Sequence, residues 1–276
     1  MRFTSFRPLT FRRIKKCNIM EKIIIAQLIA HIVADFFAQP ASISLYKQEK
    51  GAASWHLYIH LLTVFVASIL MTFIVQFILY AAAITIVHFL IDLVKSYIER
   101  GVKRKEAMGK AFHSNYLLFF TDQLLHAVVI IVAVALYWNG NRLIPLYLDL
   151  FTINQLLIFT GFLLCMKPAN VMIRICLDSL QLFDRVDKEN DLHRAGRWIG
   201  TIERIMAMVL VILQQYTAIG FIIAAKSILR YNESKTGKTE YVLIGTLLSF
   251  SFALIIGIGI SEGVFSSILS FISFIW

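Results

Sequence analysis

The chain has 276 residues, 58% of them hydrophobic and 16% charged, with a formal net charge of +10. Soluble chains average roughly 45–50% apolar and about 25% charged; this balance excludes a soluble globular domain, and the positive excess marks cytoplasmic loops of a membrane protein, with no nucleic acid expected as a partner. Three scattered cysteines, Cys17, Cys165 and Cys176, exclude a disulfide framework and a thiolate metal site.

Residues 1–19 form a basic tail with Arg2, Arg7, Arg12, Arg13, Lys15 and Lys16. The apolar run behind it carries His31 and Asp35 and no small-residue cleavage site, so a signal peptide is rejected. Span one is expected over Ile19–Gln39, ending at Pro40. Trp55–Ile98 is almost continuously apolar, and as one helix would measure about 66 Å, twice a bilayer. It must fold back near Thr72–Gln76 to give spans two and three. A basic segment, Glu99–Ser114, precedes span four, Asn115–Trp138. Residues 20–138 thus form a first, four-span half. The turn signal Asn139-Gly140-Asn141 opens an external loop over 139–151.

The second half covers residues 152–276. Span five, Thr152–Met166, ends at Lys167-Pro168. Ala169–Phe183 alternates at helical spacing and is expected to lie in the interface as an amphipathic helix. Trp198–Tyr231 would be about 50 Å long as one helix, so it divides near Gln214-Gln215 into spans six and seven. Span eight is Tyr241–Ile260, followed by the uncharged tail Val264–Trp276. The fold class is therefore all-α: a polytopic transmembrane helical bundle of about eight spans.

With the Lys47/Lys50 linker on the cytoplasmic side, the Arg100–Lys110, Lys167–Arg197 and Lys226–Lys238 segments fall there too. Little more than Lys22 and Arg142 remains outside. The basic tail opposes this arrangement: either Met20-Glu21-Lys22 is the true start, the preferred reading because the tail has no clear helical pattern, or span one does not cross fully.

Ionisable residues recur inside the apolar runs at a spacing of four, which sets two side chains on one helix face. The pairs are His31/Asp35, His56/His60, His88/Asp92 (with Lys95 beyond) and Asp122/His126. They fall late in spans one and three and early in spans two and four. All four pairs therefore lie toward the cytoplasmic half, where they can meet in one cavity. Spans six to eight add Glu203, Arg204, Lys226, Arg230 and Glu240 at the same ends, as an ion network or an anion site.

The blocks "AHIVADFFAQ", "HLYIH" and "VHFLIDLVKS", with "AGRWIGTIERIMAMVLVILQQYTAIGFIIAAKSILRY" and "EYVLIGTLLSF", resemble an uncharacterised family of bacterial multi-pass membrane proteins, a domain of unknown function. The resemblance covers nearly everything from Met20 to about Gly257 and implies a bacterial inner-membrane location without an activity. More distantly the chain is similar to inner-membrane proteins described as metal-dependent hydrolases.

Neutral imidazole and carboxylate suit Zn, Fe or Mn. The expected metal ligands are His31, Asp35, His56, His60, His88, Asp92, Asp122 and His126, with Asp35, Asp92 and Asp122 as the catalytic carboxylates. Lys95, Glu203, Arg204, Lys226, Arg230 and Glu240 would hold an anionic lipid or phosphate-containing ligand drawn from the bilayer. Two other classes compete with this reading. The same residues can relay protons in an ion-coupled transporter, or simply pack helices in an adaptor without catalysis. Di-iron hydroxylases are disfavoured, because the chain has 7 histidines and no His-x-x-His-His cluster.

Overall fold

The computed structural model describes residues 9–39, 55–107, 115–140, 148, 150–179, 190–231 and 236–276. The linker at Lys47, the loop around Arg142 and the loop from Asp184 lie outside these residues. Ten α-helices are described: α1 (Leu9–Ile32), α2 (Trp55–Thr72), α3 (Ile78–Ala107), α4 (Asn115–Gly140), α5 (Ile153–Cys165), α6 (Lys167–Ser179), α7 (Asn190–Ile212), α8 (Tyr216–Tyr231), α9 (Thr236–Ser261) and α10 (Val264–Ile275). No strand occurs among the described residues.

Helix α1 is the axis of the molecule. Met20, Ile23 and Ile24 are fully buried, and Glu21, Ile25 and Gln27 nearly so. A helix buried all round has to lie inside a ring of others, and α2, α4, α5 and α10 pack against it. The helix begins at Leu9. The basic tail is therefore helical from that point, and the boundary expected at residue 19 falls inside a continuous element.

Helices α2 to α4 are two-faced in the reverse sense of a soluble helix. Along α3 the inward stripe runs Ala81, Ile84, His88, Asp92, Ser96, while Leu79, Ile86, Leu90, Val94 and Tyr97 point outward. Polar groups inside and large apolar groups outside is the arrangement that hydrocarbon surroundings select. The chain reverses between α2 and α3 at Phe73, which takes a left-handed φ of 53°, within the expected turn at Thr72–Gln76. It reverses again at Gln214, φ 57°, between α7 and α8.

Among the described residues three helical stretches are long and apolar enough to cross a membrane: Val75–Val102, Tyr116–Gly140 and Leu243–Ser261. A fourth is the pair α5 and α6, if its 44° bend at Met166 interrupts one span. Leu57–Thr72, Tyr216–Ile228 and Val264–Ile275 are apolar but shorter.

The segment expected at the interface is helical. Helix α6 buries Ala169, Ile173 and Leu177, and it packs on α4, α5 and α9. Its apolar stripe is thus used against protein. Arg204 ties this half together. Its Nε donates to the Cys165 carbonyl (2.8 Å), Nη1 to Ser249 (3.0 Å), and Nη2 to Asn170 Oδ1 (2.6 Å) and Thr201 (3.0 Å). One side chain on α7 thereby bonds to α5, α6 and α9 beside the α5–α6 bend.

Candidate metal centre

Four helices deliver the site. On α1, the last turn widens into a π-helical turn over Val33–Phe37, closed by Ala38 N donating to the Val33 carbonyl at 2.8 Å. Such turns cluster at functional sites because they re-aim a side chain within a helix. This one carries Asp35, four residues after His31. Helix α2 supplies His60, α3 supplies His88 and Asp92, and α4 supplies Asp122 and His126. His60, His88, Asp92, Asp122 and His126 are each at most 5% exposed, and His31 8%.

The seven side chains form one layer. Asp35 Oδ1 lies 3.7 Å from His31 Nδ1, 3.5 Å from His60 Nε2 and 3.6 Å from His88 Nε2. His60 Nε2 and His88 Nε2 are 3.0 Å apart. Asp92 Oδ2 lies 3.7 Å from His60 Nε2 and 3.5 Å from His88 Nε2. His126 Nε2 is 3.4 Å from Asp122 Oδ1 and 4.0 Å from Asp92 Oδ1. Lys95 donates to Asp122 Oδ2 at 2.7 Å.

Two features set this layer apart from ordinary packing. Asp35 Oδ1, Asp122 Oδ1 and His126 Nε2 are buried without a hydrogen-bond partner, and each such orphan costs ~1–3 kcal/mol or more if nothing occupies it. The charges are also unbalanced. With neutral imidazoles, three carboxylates face one ammonium, a formal excess of two negative charges in a buried layer, which a divalent cation offsets. Three overlapping sets of ligand atoms, each within 4.8 Å, can hold an ion: His31/Asp35/His88, His60/His88/Asp92 and Asp92/Asp122/His126. Ligands at about 2.1 Å from a tetrahedral ion stand about 3.4 Å apart, close to the separations observed.

Gln123, not singled out from the sequence, belongs to the layer. Its Nε2 donates to Asp122 Oδ2 at 3.0 Å, and its Oε1 lies 3.4 Å from His31 Nε2. Its signal was a carboxamide inside an apolar run, overshadowed by the charge next to it. Beyond the layer is a cavity of about 10 Å³, between His31, His88 and His126 on one side and Gln27 and Ser68 on the other. That is room for a single water. Ser68 donates to Gln27 Oε1 at 2.6 Å, and Gln27 Nε2 donates to the Ser68 carbonyl at 2.9 Å. At the far end of the first four helices, Phe77, Tyr80 and Tyr137 pack ring on ring with centroids 5.1–5.9 Å apart.

The other expected site residues are placed apart. Glu203 is paired with Lys226 between α7 and α8, and Arg204 makes the crosspiece described above. The side chains of His56, Arg230 and Glu240 lie outside the described residues, although their backbones belong to α2, α8 and α9.

Among known proteins, a family model described as "Protein of unknown function (DUF3307)" matches residues 23–157. All seven residues of the layer fall in that range. The blocks beginning at Ala195 and Glu240 lie beyond the matched range. No curated protein and no solved structure matches the chain, and nothing found supports the distant hydrolase similarity.

Proposed function

From the match of residues 23–157 to the DUF3307 family model, we propose that the protein is a multi-pass protein of the bacterial inner membrane whose His/Asp layer is a metal-dependent hydrolase centre open to the cytoplasm. The observation that carries this reading is that four helices bring buried His and Asp ligand atoms within 4.8 Å of one another in overlapping sets, three of those atoms (Asp35 Oδ1, Asp122 Oδ1 and His126 Nε2) lacking a hydrogen-bond partner. His31, His60, His88 and His126 would supply nitrogens to Zn, Fe or Mn, and Asp35, Asp92 and Asp122 oxygens. His56 stands one helical turn before His60. A bound divalent ion lowers the pKa of water and polarises the bond to be cut. Hydrolysis then adds water across an ester: its oxygen joins the acyl or phosphoryl group, and a proton goes to the departing alcohol oxygen.

The substrate class is a lipid or phosphate ester reached from the inner leaflet. Lys95, the ammonium of the layer, is 27% exposed and paired with Asp122 at 2.7 Å, and we assign it the anionic head. Glu203, Arg204 and Lys226 are engaged with neighbouring helices, and a substrate role for them, Arg230 and Glu240 is secondary in this reading. The full topology is eight spans, with α1, α2, α7 and α8 crossing beside the longer helices and the lysine-rich connections inside.

Transport is the second reading, favoured by the cavity and the Gln27–Ser68 pair leading away from the layer. The aromatic group of Phe77, Tyr80 and Tyr137 speaks against a continuous path. Detergent-purified protein should contain stoichiometric Zn, Fe or Mn, falling by more than about tenfold in a His60→Ala/His88→Ala variant. Metal-free protein that is folded and loses ion flux in liposomes on Asp35→Asn would establish transport instead.

A further inference from the structure

We infer that the layer binds two divalent ions bridged by Asp92, and that its substrate is a phosphoester; this rests on the metal reading above. The first ground is ring geometry. The lone pair of an imidazole nitrogen lies in the plane of its ring, so two rings serving one ion need converging planes. His88 and His126 are stacked face to face, centroids 4.1 Å apart and planes 25° apart. Their lone pairs run side by side and do not meet. His60 and His88 differ in this respect, with planes 49° apart and Nε2 atoms separated by 3.0 Å. His88 therefore shares an ion with His60, and His126 serves another.

The carboxylates divide in the same way. Asp92 Oδ2 faces His60 and His88, while Oδ1 faces His126. One carboxylate with an oxygen toward each nitrogen set is a bridge. The partnerless atoms fall on both sides of it: Asp35 Oδ1 beside His60 and His88, Asp122 Oδ1 and His126 Nε2 beyond.

Charge selects the substrate. Two divalent ions reverse the sign of the layer, leaving a formal excess of two positive charges with Lys95 included. A phosphoester supplies negative charge together with an attacked phosphorus and a leaving oxygen that two ions can clamp in line. Water's oxygen forms the new P–O bond, the ester P–O bond breaks, and the alcohol leaves with a proton.

The test uses the full chain in detergent, stripped and reloaded with Mn²⁺ alone, read by metal-to-protein ratio and electron paramagnetic resonance. Two ions per chain with an exchange-coupled spectrum are expected. His126→Ala, with helix content unchanged by circular dichroism, should retain one ion and give an uncoupled spectrum. One uncoupled ion in the wild type overturns the two-ion inference and leaves the hydrolase reading standing. No ion in folded wild type overturns both. Inorganic phosphate should compete with a chromogenic phosphomonoester on the two-ion protein; loss of that competition with both ions bound would overturn the substrate class.

Discussion

Glu21 shows what a single residue demands in this environment. It is 1% exposed, and its Oε1 accepts from Ser270 at 2.8 Å and Ser273 at 3.2 Å, both on α10. Hydrogen bonds to a buried charged group contribute about 1.5–3 kcal/mol, so a Ser270→Ala/Ser273→Ala variant should lose stability of that order, measurable as a lower midpoint of thermal unfolding in detergent. An unchanged midpoint would mean the serines do not hold the carboxylate. This pairing was not legible in the sequence, where α10 reads as an uncharged tail. Its serines lie about 250 positions from Glu21, and no periodicity connects residues at that separation. His31 with Asp35 and His88 with Asp92 were legible for the opposite reason. Spacing of four on a helix is local geometry, and charge inside an apolar run stands out by its cost.

At the scale of elements, glycine placement separates what pattern reveals from what packing decides. At Gly245 a Cβ would meet only the end of Leu177, at 3.4 Å. A tight contact between α7 and α9 is at Gly257, where a Cβ would stand 2.8 Å from Val211 Cβ and 3.3 Å from the Met208 carbonyl of α7. Val211 is β-branched and stiff at χ1, so Gly257→Ala should push α7 and α9 apart and cost about 1–3 kcal/mol. Gly245→Ala should cost much less, because the end of Leu177 can rotate away. Equal unfolding midpoints for the two variants would contradict this packing. The breaks at Phe73 and Gln214 were legible because bilayer thickness limits how long an apolar helix can run. The helical start at Leu9 was not, since basic residues hide the continuity of α1 with the buried segment behind it.

For the whole molecule, sidedness follows from where lysine and arginine collect. In a background lacking Cys17, Cys165 and Cys176, Lys103→Cys should react with a membrane-impermeant maleimide in inverted vesicles and not in intact spheroplasts; the reverse result would invert the proposed topology. Composition alone made the chain helical and membrane-bound, because apolar runs of this length have no stable place in water and must satisfy their backbone internally. Helical spacing alone identified which faces carry imidazole and carboxylate. Only the tertiary structure decided that α1 is the axis, that four of those faces meet in one layer, and that Arg204 and the Glu203–Lys226 pair belong elsewhere. The reason is physical: spacing along a helix fixes the direction of a side chain relative to its own axis, whereas its neighbour is fixed by how separate helices rotate and pack to bury what the lipid will not solvate.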